Sequence, residues 1–214
     1  MRALSSLFRA SHATPLRAAR WVVIDCETSG LDPDKDRLIS VGAVAVQNGT
    51  IQLGSAFAMN VGQAVPSDAA NILIHGIGAQ AQAAGPPAAE VLRAFAAFVG
   101  DGLPVAFSAP FDAAVLRRAM ASTQSGELGH WLDVAALAPA LFPEAGPAKG
   151  ASRSLDDWLA HFHIECTARH DALGDAYATA QLFLVLLAEA ERQGSATVTD
   201  LRRVARSARW LSAR

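Results

Sequence analysis

Val22, Val23 and Ile24 run directly into Asp25, Cys26 and Glu27, and the chain then turns through Thr28, Ser29, Gly30 and Leu31. Side chains alternate faces along a strand, so Asp25 and Glu27 project the same way. Two carboxylates ~4 Å apart at an effective dielectric of ~20 repel by about 4 kcal/mol. A fold that accepts this motif has to neutralise it with a shared proton, a basic partner or a metal ion. The ordinary alternative is a strand that happens to end in acids before a turn.

The rest of the chain supplies elements to surround that strand. Residues 38–47 are rich in β-formers (Ile39, Val41, Val44, Val46) and end at Asn48-Gly49, a hairpin signal between two apolar runs. Residues 50–61 are the expected returning strand, so the chain opens as an antiparallel three-strand meander. Residues 62–86 carry Pro66, Gly76, Gly78, Gly85 and Pro86 and read as loop. Then strands and helices alternate. Helices are expected over 87–99, 110–121 and 135–142, and strands over 103–107 and 131–134. Residues 143–153 read as loop. Ser154 to Asp157 has the form of a capping box before a short helix ending at Phe162. A long helix over 171–193 stops at Gly194, and an amphipathic segment over 197–211 follows. Hairpins first and alternation later describe a mixed sheet covered by helices.

With 214 residues, 51% of them hydrophobic, the chain can bury one sizeable core. Its formal net charge of −2 excludes a polycation built to coat nucleic acid. The division expected is a basic extension over 1–19, a main domain over 20–194 and a basic helix over 195–214. The extension holds Arg2, Arg9 and Arg17 and no acid, with no long apolar core for a secretory signal. The apolar run 182–188 is too short to span a bilayer and reads as buried helix. Cys26 lies between two acids, where a disulfide would tie up the motif. Both it and Cys166 are read as reduced thiols of a cytoplasmic protein.

Further acids follow the strands. Asp112 opens a helix after an apolar strand, and in such α/β layouts sites form at the carboxyl ends of strands. An acid in a first turn is also favoured by the helix dipole alone. Asp175 sits among Ala172, Leu173, Ala176 and Ala178, where a charge is costly unless paired or metal-bound. His170, just before that helix, is a candidate base that titrates near neutral pH.

Three segments, Asp25-Cys26-Glu27-Thr28-Ser29-Gly30-Leu31, Val105-Ala106-Phe107-Ser108-Ala109-Pro110-Phe111-Asp112 and His170-Asp171-Ala172-Leu173-Gly174-Asp175-Ala176, occur in one order. In that order they resemble the DEDDh branch of the DnaQ-like 3′–5′ exonucleases, the family of the epsilon proofreading subunit of bacterial DNA polymerase III. The resemblance covers roughly residues 20–190. Ile74-His75-Gly76-Ile77, Leu132-Asp133 and Ser154-Leu155-Asp156 add to it. It implies a ribonuclease H-like fold with a five-stranded mixed sheet of order 3-2-1-4-5. It also implies two divalent cations, Mg²⁺ or Mn²⁺, held by Asp25, Glu27, Asp112 and Asp175, with His170 as general base. Thr28 is the position that would cradle the terminal nucleotide. One departure is visible: where the family reads His-Asn-Ala, this chain has Phe107-Ser108-Ala109-Pro110, a hydroxyl in place of an amide.

The implied partners are single-stranded or frayed nucleic acid 3′ ends, DNA before RNA, and a DNA polymerase, with no membrane. An RNA-directed exonuclease or oligoribonuclease of the same fold, and a non-catalytic module that binds nucleic acid or a polymerase, remain open alternatives. His75, His161 and His163 are expected to be structural or surface residues, and Trp131, Trp158 and Phe162 to be core. Arg117 and Arg118 are expected to meet the substrate backbone. Arg202, Arg203, Arg206, Arg209 and Arg214 read as a solvated face or as phosphate contacts.

Overall fold

The computed structural model describes residues 14–145 and 153–212, with side chains described up to residue 207. Residues 1–13 of the expected extension, and the side chains of Arg209 and Arg214, lie outside the described residues.

Strand β1 (Trp21–Thr28) is the centre of a six-stranded sheet. On one side it pairs antiparallel with β2 (Leu38–Gln47), which carries β3 (Thr50–Ile51) and β4 (Phe57–Asn60). On the other side it pairs parallel with β5 (Leu103–Ala106), which pairs parallel with β6 (Leu132–Asp133). The order is β3-β2-β1-β5-β6 with β4 also on β2, so the implied topology holds with its third strand in two pieces. The Asn48-Gly49 turn has both residues at positive φ, 53° and 72°, as the hairpin signal requires. The returning strand breaks at a 3₁₀ turn, Leu53–Ser55. There Gly54 weakens the strand and the Ser55 hydroxyl donates to the Gln52 carbonyl at 3.2 Å, competing with the ladder.

The stretch 62–86, read as loop, holds two short helices, α1 (Ala69–His75) and α2 (Ala79–Ala84). Asp68 caps α1 by accepting from the Asn71 amide, and Gly76 ends it in the left-handed region. Leu73 and Ile74 point outward, 85% and 57% exposed, so α1 lacks the buried apolar stripe that betrays a helix in sequence. His75 is buried and structural: its Nδ1 accepts from the Ile77 amide and its Nε2 faces the Asn71 side-chain oxygen at 2.9 Å.

Helices cover both faces of the sheet. Val22, Ile24, Cys26, Val41 and Ala43 pack under α3 (Ala88–Val99) and α4 (Ala109–Thr123). Trp21, Val23, Val44 and Val46 face the other layer, made of α5 (Val134–Leu141), α6 (Leu155–His161), α7 (Ala172–Arg192) and α8 (Val198–Ser212). Ser154 and Asp157 form the expected capping box of α6, with Asp in the reciprocal role. Trp158 is buried and Phe162 packs against this core, as expected of them. Helix α7 is apolar and long enough to cross a bilayer, yet over half of its apolar window is buried inside the fold. Leu201 and Ala205 of α8 are buried in the same core, and Leu16 and Ala19 join it from the chain's start.

One contact fixes how α7 lies. Gly42 pairs directly with Asp25 in the sheet, and a Cβ added there would collide with the backbone of Ala172 and Leu173. The first turn of α7 therefore rests on bare β2 backbone. Gly42→Ala is expected to lower stability by about 1–3 kcal/mol, because backbone rather than a mobile side chain must move. Urea denaturation checks this; a midpoint equal to wild type would mean α7 does not rest there.

Candidate active site

The alternation of β1 sorts its last residues. Trp21 and Val23 face α7, so Asp25 and Glu27 continue that face, while Cys26 faces the α4 layer with Val22 and Ile24. Asp175, in the first turn of α7, comes down on the same face. Carboxylate oxygens of Asp25, Glu27 and Asp175 lie within 4.8 Å of one another. Asp25 and Glu27 are half-buried and Asp175 is buried.

Asp112 arrives from the other layer. It is buried in the first turn of α4, which follows β5, the parallel neighbour of β1. The thiol and amide of Cys26 hydrogen-bond its carboxyl, and its charge is felt at Asp25. The structure thus gathers three of the four predicted acids into one cluster and sets the fourth against it from across the sheet.

His170 stands at the rim, exposed, in the left-handed region at φ 60°. That conformation is uncommon for a residue with a side chain and clusters at functional sites. Its amide donates to Asp175 Oδ2 at 3.0 Å, and Asp171 caps α7 by accepting from the Gly174 amide. Gly174 is required here, because a Cβ would strike the Ala168 carbonyl. Thr28 is buried, and its hydroxyl donates to the Gly30 carbonyl at 2.6 Å, bracing the turn. Arg118, expected near substrate, turns instead to the Asp36 carbonyl and ties the β1–β2 loop to α4, while Arg117 is exposed. His161 and His163 are exposed.

One residue had no role in the sequence reading. Arg169 pairs with Asp175 through one guanidinium nitrogen and with Asp156 through its Nε at 2.5 Å. Burial works against its charge, but the bonds to Asp156 and Asp175 outweigh it and raise its pKa. It is the basic partner that crowded carboxylates call for. The available signal was its place beside His170, immediately before the third motif.

Arg169 does not balance the cluster. Burial first, then Asp112, Asp175 and Glu27, push Asp25 well above the usual carboxyl range. Burial and Asp175 push Glu27 up to about 7. Burial also carries Asp112 to about 7, against the opposing hydrogen bonds from Cys26. An oxygen-only pocket with this excess of negative charge suits a hard divalent cation. The Cys26 thiol does not alter that preference, since burial and Asp112 hold it well above its ordinary pKa and keep it protonated.

Two outcomes follow. These carboxyls bind protons more tightly in the folded than in the unfolded state. Without divalent cation, their contribution is therefore fully present below about pH 4 and declines as pH rises toward about 7. Thermal denaturation in EDTA between pH 4 and 8 should show the decline, and Asp25→Asn should flatten it; parallel curves would mean the acids are not coupled. Arg169→Gln should destabilise the protein in EDTA by roughly 1–3 kcal/mol, since it leaves Asp175 without its cation. Saturating Mn²⁺ should shrink the deficit, and urea denaturation with and without Mn²⁺ reads both.

The profile of the RNase_T exonuclease family matches residues 22–183. A DNA polymerase III subunit epsilon-like protein of Rhodobacter capsulatus is 36% identical over 208 residues, 94% of this chain and 29% of that protein. The DNA polymerase III subunit epsilon of Rickettsia typhi is 28% identical over 80% of this chain and 75% of its own length. The chain thus spans under a third of the first relative and three quarters of the second. Exonuclease I of E. coli, solved in complex with a dT13 oligonucleotide, shares the fold at a TM-score of 0.68 and 21% identity, over 82% of this chain and 42% of that one. With its order of strands, its acid cluster and the family match across most of its length, this chain belongs to the RNase_T exonuclease family.

Proposed function

We propose that the chain is a 3′–5′ exonuclease that releases nucleoside 5′-monophosphates from single-stranded or frayed DNA ends. In this reading Asp25, Glu27, Asp112 and Asp175 hold two divalent cations, Mg²⁺ or Mn²⁺, and His170 is the general base. The observation that carries it is the convergence of three carboxylates within 4.8 Å, with Asp112 facing them, in a member of an exonuclease family. When bound, two such cations supply charge neutralisation and Lewis acidity for in-line displacement at phosphorus.

The chain's own groups have separable tasks. Asp25 and Glu27 form the floor on β1, and Asp175 is locked in place by the His170 amide. His170 is joined to the cluster through that same amide while its ring is open to solvent, a position from which it can take a proton from an attacking water. Arg169 must give up Asp175 for a cation to bind there. Its bonds to Asp156 keep it close by. Thr28, next to Glu27 in the chain, and the exposed Ser108, at the start of the helix that carries Asp112, are the groups we assign to the terminal nucleotide. The names of the relatives favour DNA over RNA and point to a DNA polymerase as the partner to test. Both cysteines are free, which fits the cytoplasm.

The test is a time course on 5′-labelled DNA and RNA oligonucleotides of one sequence, with Mg²⁺, Mn²⁺ or EDTA. A metal-dependent ladder shortening from the 3′ end is expected, faster on DNA. It should be abolished by Asp25→Asn, and His170→Ala should slow it ~10²–10⁴-fold while metal binding persists. A faster RNA ladder would reassign the substrate. No degradation of either strand would leave a binding module.

A further inference from the structure

We infer that the pocket between β6 and α8 is a second nucleic-acid subsite, which holds one nucleotide of the single strand upstream of the reacting end. The inference rests on the exonuclease reading for the direction of the strand, but its chemistry is independent of catalysis.

The pocket encloses about 330 Å³ and is lined by His130, Trp131, Asp133, Thr199, Arg202 and Arg206 among others. That is the lower end of the range for small-molecule sites. Its place is set by the sheet. Asp133 ends β6 and lines the pocket, and β6 runs parallel beside β5, whose following helix α4 carries Asp112 in its first turn. The pocket therefore lies at the end of the sheet that carries the acid cluster.

Its charge is unusual for this molecule. Arg202 and Arg206 stand one turn apart on α8, where like charges repel. Neither forms an ion pair among the described residues. Arg203, between them in sequence, pairs with Asp200 at 3.0 Å. Arg202 is half-buried, with one terminal nitrogen donating to the His130 carbonyl at 3.2 Å and its Nε buried without a hydrogen-bond partner. Burial first, and Arg206 second, lower its pKa. Two adjacent guanidinium groups, one with an unused buried donor, fit an oxyanion.

The wall beside them is aromatic. Trp131 is only half-buried: it packs against the core under α3 and α4 and also lines the pocket. The expectation that it is simply core is half met. An aromatic side chain next to two guanidinium groups is the combination that binds successive nucleotides of a single strand. The need for it is electrostatic. A chain of net charge −2 with an acid cluster at its centre repels a polyphosphate, and a local cationic site offsets this.

The test separates binding from turnover. In the Asp25→Asn protein, anisotropy of 5′-fluorescein dT10 is measured across salt concentrations. Arg202→Gln with Arg206→Gln should weaken binding about tenfold and reduce the slope of log K against log salt by about 1.4, two phosphate contacts at ~0.7 each. With Asp25 intact, the same pair should leave hydrolysis of the p-nitrophenyl ester of thymidine 5′-monophosphate unchanged, because that substrate has no upstream nucleotide. Unchanged affinity and slope would overturn the subsite. So would an equal loss in the charge-matched control, Arg203→Gln with Arg192→Gln, whose guanidinium groups are already paired, since bulk charge would then explain the effect. If no protein cleaves the ester, the exonuclease reading fails and the anisotropy result still judges the pocket.

Discussion

The seat of α7 on Gly42 is the contact on which the site depends. Asp25 and Asp175 are 150 positions apart in sequence. They meet because Gly42, opposite Asp25 in the ladder, has no side chain to hold the helix off. A helix normally packs about 10 Å from a sheet across two layers of side chains. Removing one of those layers at a single point lets the first turn of α7 dip to the backbone of β2. Gly174 repeats the device on the other side of that turn, where the Ala168 carbonyl takes the space of a Cβ. Two missing side chains thus turn a sequence pattern into a cluster of touching size.

That closeness is electrostatically unfavourable, and the rest of the molecule has to carry it. Partly buried carboxylates lose hydration and repel one another, so Asp25 holds its proton well above the usual carboxyl range, and Glu27 and Asp112 hold theirs up to about pH 7. Arg169 offsets part of this, but its bonds go to Asp175 and Asp156, and its charge only partly counters the rise at Asp25 and Glu27. Stability comes from elsewhere, from the apolar layers on both faces of the sheet, anchored on one side by Trp21 against Phe183 in an edge-on ring pair at 5.3 Å. Charge is concentrated where the strands end and apolar contact where they run. A site that is strained in isolation and relieved by cations is the expected result, and the left-handed backbone of His170 belongs to the same strain.

Much of this was legible in the sequence, and what was not has a physical reason. Strands β1 and β2, the Asn48-Gly49 hairpin, α3, α4 and the α6 capping box were readable because each carries a strong local pattern. The split of the returning strand was not, since Thr50 and Ile51 before Leu53–Ser55 and Phe57 and Val61 after it mask one weak link in an otherwise strand-like run. Helices α1 and α2 were missed because their apolar residues face outward, so burial periodicity, the signal sought, is absent. Asp25, Glu27, Asp112, Asp175 and His170 were singled out by type, spacing and the family resemblance, and the fold brings Asp25, Glu27 and Asp175 within 4.8 Å of one another. Arg169 was not, because its function is to pair with acids that only the folded chain brings to it. The basic helix at the end read as an amphipathic segment of its own in sequence, with no sign of what its apolar face packs on. Its buried Leu201 and Ala205, and the bridge from Pro15 to Thr197, bind it to the core.

The substitution in the second motif is also intelligible from the fold. If the side chain at position 108 held Asp112, replacing an amide by a hydroxyl would disturb the acids. It does not hold it: Ser108 is exposed and its hydroxyl does not cap α4. The backbone does that work. The Ser108 carbonyl accepts from the Phe111 amide at 2.9 Å, Pro110 fixes the first turn, and Cys26 supplies hydrogen bonds to the Asp112 carboxyl. Asp112 is therefore positioned by groups that do not depend on the identity of residue 108. The change falls on the solvent side of the turn, where it can alter what the site grips without altering where its acids stand.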